Sequence, residues 1–305
     1  MREVPLSALA QVNPARRLSP ELSQDSAVSF IPMTDVTESG EWRSKQTRRL
    51  RDVAAGYTAF VEGDVLFAKI TPCMENGKGA HAVGTIGGIG FGTTEFHVLR
   101  ANPNADSRFI FHWTMAGALR VRAERMMTGS AGQRRVPTSF FDTFLVPELP
   151  LSEQRQVAAI LDTVDDAIRK TEQIVAKLKQ VKQGLLHDLL TRGIDDNGEL
   201  RDPARYPEQF KDSPLGLIPK AWATCSLREV ANVVRGSTPR PAKDPRYFNG
   251  TYAPWITVGE LSKDNWPYLT DTASMLTELG TQFSRPLQAG TVVISNSGFG
   301  CGVPK

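Results

Sequence analysis

Residues 152–192 read SEQRQVAAILDTVDDAIRKTEQIVAKLKQVKQGLLHDLLTR. Val157, Leu161, Val164, Ile168, Thr171, Val175, Leu178, Lys182, Leu185 and Leu189 recur at alternating spacings of four and three. That is a sustained heptad seam, polar only at Thr171 and Lys182. Gly184 is its one helix breaker. Ser152 is the expected N-cap, with Glu153 adding negative charge to the first turn. Arg155 occupies the position where a capping box needs Glu or Gln. Arg192 and Gly193 supply a cationic last turn and a stop. A helix of this length at ~1.5 Å per residue is a rod of roughly 60 Å. One apolar seam on such a rod calls for a partner helix.

The segments on either side of this helix resemble each other. Val4-Pro5-Leu6-Ser7-Ala8-Leu9-Ala10-Gln11-Val12 returns as Thr224-Cys225-Ser226-Leu227-Arg228-Glu229-Val230-Ala231-Asn232-Val233. Ser29-Phe30-Ile31-Pro32-Met33-Thr34-Asp35-Val36 returns as Ala253-Pro254-Trp255-Ile256-Thr257-Val258-Gly259-Glu260-Leu261. Phe60-Val61-Glu62-Gly63-Asp64-Val65-Leu66-Phe67 returns as Pro286-Leu287-Gln288-Ala289-Gly290-Thr291-Val292-Val293-Ile294. The offsets are 221 (Leu6 to Leu227), 225 (Ile31 to Ile256) and 227 (Gly63 to Gly290). Such drift fits loop insertions in a duplicated domain and excludes a short solenoid repeat. Two similar modules on a rigid spacer suit a protein that reads two places along one polymer.

The chain of 305 residues is 40% hydrophobic and 23% charged, as expected for a globular protein of two domains and a connector. No apolar run approaches ~18 residues, so no membrane span is expected. The start has no signal-peptide core. Cys73, Cys225 and Cys301 are odd in number and far apart, which points to a reducing cytoplasm without a disulfide framework. The four histidines show no metal-ligand spacing. A net charge of +3 does not itself mark a nucleic-acid binder. The charges cluster, however. Arg43, Lys45, Arg48, Arg49 and Arg51 form one group, Arg120, Arg122 and Arg125 another, Arg134 and Arg135 a third. Each could be a solvated face, but together they make phosphate contact plausible.

Local reading places a strand at Val65–Ile70 and a polar loop from Thr71 to Gly79. The five glycines between Gly84 and Thr94 read as tight turns, Gly88 to Gly92 included. Arg108–Arg125 reads as one helix, followed by a polar loop from Met126 to Val136. Residues 193–220 read as a linker. Gly298 to Gly302 reads as a turn, and Val292 to Ile294 as an internal strand of the second copy by analogy with Val65 to Phe67.

Catalytic motifs are missing. Asn13-Pro14-Ala15-Arg16 is not a base-holding amino-methylation loop, and no amphipathic helix follows Gly88–Gly92 to make a cofactor turn. Asp64 and Lys69 lack the intervening carboxylate of a metal-dependent nuclease. There is no phosphate-binding glycine loop and no paired nucleophile and histidine. Neither a cofactor nor a metal is expected. The positive signals are two loops rich in amide, hydroxyl and cationic groups. One carries Lys69, Thr71, Asn76 and Lys78, the other Thr128, Gln133, Arg134 and Arg135. Asn and Gln can pair with adenine edges, Lys and Arg with guanine or phosphate, and Thr with phosphate. Arg43, Lys45 and Arg48 complete the candidate DNA-binding set, and ordinary surface turns are the competing reading.

Gly63-Asp64-Val65-Leu66-Phe67-Ala68-Lys69-Ile70-Thr71-Pro72-Cys73-Met74-Glu75-Asn76-Gly77-Lys78-Gly79 resembles a target recognition domain of the specificity subunit of type I restriction–modification enzymes. So do Gly90 to Leu99 and Thr128 to Pro137. Pro150 to Asp162 and Gly184 to Ile194 resemble the start and end of that family's central helix. The second copy, through Gly290 to Gly302, resembles the opening of the other recognition domain. The resemblance implies an α+β fold with two recognition domains joined by a long coiled-coil-type helix. The divisions are residues 1–150 for the first recognition domain, 151–193 for the spacer helix, 194–220 for a linker, and 221–305 for the N-terminal part of the second. Residue 305 aligns near residue 78 of the first copy, so the second domain is expected to be incomplete and the reading frame to run to roughly 400 residues. The resemblance further implies a non-catalytic subunit. It would read a split site on double-stranded DNA and direct partner methyltransferase subunits and, through them, a restriction subunit. Val157, Leu161, Val164, Ile168, Val175, Leu178, Leu185 and Leu189 would form the partner-helix seam. The rival readings are a half-length form that homodimerises to rebuild two readers, a coiled-coil scaffold without DNA, and a self-contained methyltransferase.

Overall fold

The computed structural model describes residues 2–15, 20–130, 132–264, 266–296 and 301–305. Two compact units divide near Gly184. The first contains β1 (Glu3–Pro5), α1 (Leu6–Leu9), β2 (Ala10–Val12), β3 (Ala27–Ile31), β4 (Gln46–Arg49), α2 (Leu50–Val53), β5 (Thr58–Val61), β6 (Val65–Ala68) and β7 (Gly79–His81). It continues through β8 (Ile89–Gly92), β9 (Phe96–Ala101), α3 (Ser107–Met115), α4 (Gly117–Met126), α5 (Phe140–Thr143) and β10 (Leu145–Pro147) into α6 (Leu151–Thr191).

Two four-stranded sheets, ordered β2-β9-β6-β7 and β4-β3-β8-β5, stack face to face. The first is wholly antiparallel, whereas β3 and β8 run parallel in the second. The side-chain period of two assigns each β6 residue to a layer. Val65 and Phe67 face α3, α4 and α5 in one core, while Leu66 and Ala68 face the other sheet in a second core. Both faces of β6 are covered, which explains its unbroken apolar run. Each buried Leu or Phe here contributes on the order of 1.5–3 kcal/mol. A third core lies between the outer face of the second sheet and α2, built on Val28, Phe30, Leu50, Val53, Ile89 and Phe91. The order of layers is therefore helices, sheet, sheet, short helix.

Several expectations change. Ile89–Gly92 is a strand inside the second sheet, not a turn; the turn is confined to Ile86–Gly88. A Cβ on Gly90 would lie 2.3 Å from the Phe60 ring, so the glycine is demanded by sheet packing. The single helix expected at 108–125 is two, broken at Ala116, whose ψ of 130° is extended. Asp64, given no role by the sequence, has a structural one. It is buried, accepts two hydrogen bonds from Arg100 at 2.9 and 2.7 Å, and a third from the Val61 amide at 2.8 Å.

The helix α6 spans 41 residues, close to the reading of 152–192. Its start differs. Leu151 is already helical, and the Pro150 carbonyl receives the Glu153 and Gln154 amides, so Ser152 is not the cap. The first turns dock on the domain through one polar face. Gln154 is buried, accepting from the Asp106 amide at 2.9 Å and donating to the Leu149 carbonyl at 2.8 Å. Asp162 accepts from Arg108 Nε at 3.0 Å and lies 2.8 Å from His112 Nε2, while Arg169 pairs with Glu41 at 3.4 Å. Burial raises the Asp162 carboxyl, but the bonds and charges of Arg108 and His112 outweigh it and hold the group below its ordinary value. The seam residues from Val157 to Leu189 are exposed.

The second unit repeats small elements with less cover. Residues 194–220 are not a bare linker. β11 (Phe210–Lys211) and β12 (Ile218–Pro219) pair in a hairpin that buries Phe210 and Ile218. Then come α7 (Leu227–Val230), β13 (Phe248–Pro254), α8 (Val258–Leu261), β14 (Met275–Leu276) and α9 (Glu278–Gln282), with β13 and β14 paired. Val292 and Ile294 are exposed and belong to no multi-residue strand among the described residues, against the expectation of an internal strand. Val293 and Lys305 exchange backbone hydrogen bonds at 3.0 and 2.9 Å, and Ile294 bridges Pro304. The predicted turn at Gly298 to Gly302 lies mostly outside the described residues. Among those described, no helix is long and apolar enough to cross a membrane.

Candidate nucleic-acid interface

β6 delivers the chain to Lys69, and the loop that follows winds on itself. The amides of Met74, Asn76, Gly77 and Lys78 donate to the carbonyls of Ile70, Pro72, Met74 and Cys73. Met74 is fully buried and pins the loop to the helical core. Gly77 has φ of +84°, and a Cβ there would sit 2.8 Å from the Glu38 carbonyl oxygen. Both the left-handed backbone and the close approach require glycine. Thr71 Oγ1 donates to Glu75 Oε1 at 2.7 Å.

The second loop, far away in sequence, closes on the first. Thr128 and Arg135 exchange backbone hydrogen bonds at 3.0 and 2.8 Å, making a narrow ribbon turned by Gly129 and Gly132. The ribbon then pairs with the first loop: the Thr71 amide donates to the Arg134 carbonyl at 3.0 Å, and the Val136 amide to the Lys69 carbonyl at 2.9 Å. His97, buried on β9, fastens the base of the ribbon. The Val136 carbonyl can only accept, so Nε2 carries the proton and donates to it at 2.8 Å, leaving Nδ1 to accept from Asn13 Nδ2 at 3.0 Å. Burial pushes the His97 imidazole down, which keeps it in this neutral form.

The candidate residues separate into two groups. Lys69, Thr71, Asn76, Lys78, Thr128, Gln133, Arg134 and Arg135 come together on the interlocked loops. Asn76 and Gln133 stand exposed, with no side-chain hydrogen bond among the described residues. Lys69 is half-buried. Lys78 Nζ donates to the Met33 carbonyl at 3.1 Å, and would have to leave that bond to reach a base. Arg134 reaches Glu75 at 3.4 Å. Arg135 makes two hydrogen bonds to Glu95, at 2.9 and 2.8 Å, and these hold the Glu95 carboxyl below its ordinary value.

Arg43, Lys45 and Arg48 belong to the other sheet, beside β4. Lys45 Nζ donates to the Val83 carbonyl at 2.8 Å, and Arg48 donates to Gln46 while lying over the Phe30 ring. The Met33–Glu38 stretch links the groups, because it receives Lys78 and abuts Gly77, and its Asp35 carbonyl accepts the Arg43 amide. Arg49 and Arg51 pair with Asp25 on the surface, and Arg120 is buried whereas Arg122 and Arg125 stay exposed. Sequence reasoning missed His97, Asn13, Glu75 and Glu95. Their role appears only once residues far apart in the chain meet.

Residues 4–180 match the family model of the type I restriction modification DNA specificity domain. The EcoAI type I restriction enzyme specificity subunit of Escherichia coli is 38% identical over 211 residues, covering 67% of this chain and 35% of that protein. The EcoEI specificity subunit of Escherichia coli is 33% identical over 194 residues, covering 63% and 32%. The matched stretch thus spans about a third of the length of these relatives. A solved chain from a study of complex assembly in the type I R-M system is 20% identical, with a TM-score of 0.51 over 69% of this chain and 52% of that one, and it supports the fold alone. The four-layer domain, both interlocked loops and most of α6 fall within the matched residues, and the chain belongs to the family of the type I restriction–modification DNA specificity domain.

Proposed function

We propose that residues 1–150 read one half of a split site on double-stranded DNA, and that the chain acts as a recognition subunit without chemistry of its own. One observation carries this reading: two glycine-containing loops from distant parts of the chain lock into one ridge that leaves Asn76 and Gln133 exposed beside four cationic side chains. Amides offered on a rigid backbone suit base edges, and flanking cations suit phosphates. Residues 221–305 belong to the second reader. α6 sets the distance between readers, which on one face of DNA is about 34–36 Å or a multiple. The partners are methyltransferase subunits and, through them, a restriction subunit. The exposed seam of α6 supports a partner helix, and a second copy of this chain is the alternative source of that helix.

The test compares preferred and random duplex, after the preferred site is found from the methylation pattern of a genome expressing the chain with its methyltransferase. Gln133→Ala should cost about 1–3 kcal/mol on the preferred duplex and little on random DNA. Affinity for both should fall with salt at a log–log slope of about −0.9 per phosphate contact. Equal losses on the two duplexes would make Gln133 a phosphate or bracing residue, and a flat salt dependence would remove the cationic groups from the DNA face.

A further inference from the structure

Arg120 sits on α4 beneath the first loop, and every N–H of its guanidinium has an acceptor. Nε donates to the Thr114 carbonyl at 2.7 Å. Nη1 donates to the carbonyls of Met74 at 3.0 Å and Lys78 at 3.2 Å. Nη2 donates to the Gly77 carbonyl at 3.2 Å and lies 3.7 Å from Met115 Sδ. The flat face covers the Phe67 ring at 4.4 Å. These acceptors include no carboxylate, and burial lowers the group to about 10. A cation under a loop next to Lys69, Lys78 and Arg134 is costly to bury, so its retention needs a use. Stability alone is a poor one, since an apolar side chain could fill the space between Phe67 and Met115 at less cost.

The use lies in the shape of the loop. Three of the four carbonyls belong to Met74, Gly77 and Lys78, which bracket Asn76. A planar fork with five fixed donors can hold these carbonyls in one arrangement, whereas the three rotatable donors of lysine cannot. We infer that Arg120 is a positioning residue for sequence discrimination: its guanidinium is the template on which the Met74–Gly79 backbone is moulded, so that Asn76 meets DNA in one fixed orientation. The inference rests on the reading of this ridge as the DNA face, and the experiment separates the two.

The 305-residue chain and two variants are offered a pool of duplexes with a randomised core, and the recovered consensus duplex is then titrated against random duplex at several salt concentrations. Arg120→Lys keeps the charge and loses the fork. Gly77→Ala disturbs the same loop where it abuts the Glu38 backbone, with Arg120 intact, by forcing a left-handed residue against Glu38. Both should lower the ratio of consensus to random affinity about tenfold, the effect of one or two lost loop hydrogen bonds, while leaving random-duplex affinity and salt slope as in the wild type. Should Arg120→Lys fail to fold, Gly77→Ala decides. A variant that folds and keeps the wild-type ratio, or that weakens on both duplexes alike, overturns the inference and leaves the proposed function standing. A wild-type chain that enriches no consensus overturns the proposed function, and the inference with it.

Discussion

Leu6 and Leu227 open the same motif in the two halves of the chain, and the local backbone treats them alike. α1 and α7 each follow an extended residue, Pro5 or Ser226, and each ends on an extended alanine, Ala10 at φ −141° and Ala231 at φ −145°. Their surroundings differ completely. Leu6 is 0% exposed and Leu227 63%. The Leu6 amide donates to the Phe144 carbonyl, and Phe140, Phe141 and Val146 close over its side chain. Among the described residues, nothing does this for Leu227. A four-residue helix is thus dictated locally, but its contribution to stability comes from a covering segment more than a hundred residues away.

The sharpest way to break the comparison is a matched pair of truncations. Leu6→Ala should destabilise the first unit by about 2–5 kcal/mol, and Leu227→Ala should change stability by less than about 0.5 kcal/mol. Denaturant melts of the full chain measure both, and an equal loss would mean that α7 is covered in solution. Next in size is acid. Burial pushes His81 down to about 4 from 6.5, with Arg108 adding to the fall, and burial also lowers His97. The unfolded chain binds those protons below about pH 6.5 while the folded domain refuses them, so stability falls as pH drops from 6.5 towards 4. For His81 the loss approaches about 3 kcal/mol. The second copy has no histidine between residues 222 and 305, so amide protection, taken relative to the intrinsic exchange rate at each pH, should fall in β6, β7 and β9 over this window and hold in β13 and α9. Protection that fell in both regions would disconnect the effect from these imidazoles. The smallest effect should be equal in the two halves. Asp106 caps α3 by accepting the Phe109 amide at 2.9 Å, and Thr277 caps α9 by accepting the Gly280 amide at 3.0 Å. Replacing either cap with alanine should cost about 1 kcal/mol, because capping is a local interaction. A loss confined to Asp106 would show that α9 frays.

The same contrast explains what could be read from sequence. The heptad period of α6 and the apolar run of β6 are local patterns, and both elements lie where those patterns put them. The interlocking of the loops was not legible: Thr71 and Lys69 meet the backbone of Arg134 and Val136, but nothing in either stretch announces the other. Two errors share a cause. Gly90 looks like a turn residue until Phe60 is seen packed across it. Arg120 looks like a phosphate contact until Phe67 and three loop carbonyls are found around it. In both a distant partner decided the outcome, and no local spacing encodes that partner. Ala116 also breaks a helix that the surrounding apolar periodicity would continue.

The polar face that joins α6 to the first domain also says where this protein can be cut and rejoined. Gln154, Asp162 and Arg169 find their partners in Asp106, Arg108, His112 and Glu41, so the first five turns of the helix belong mechanically to the domain that precedes them. A chimera that grafts a foreign domain at residue 150 would leave a buried amide and a paired carboxylate without partners. A junction placed beyond Arg169 would carry the whole latch across intact. The unit of exchange is therefore a domain with its own stretch of rod attached.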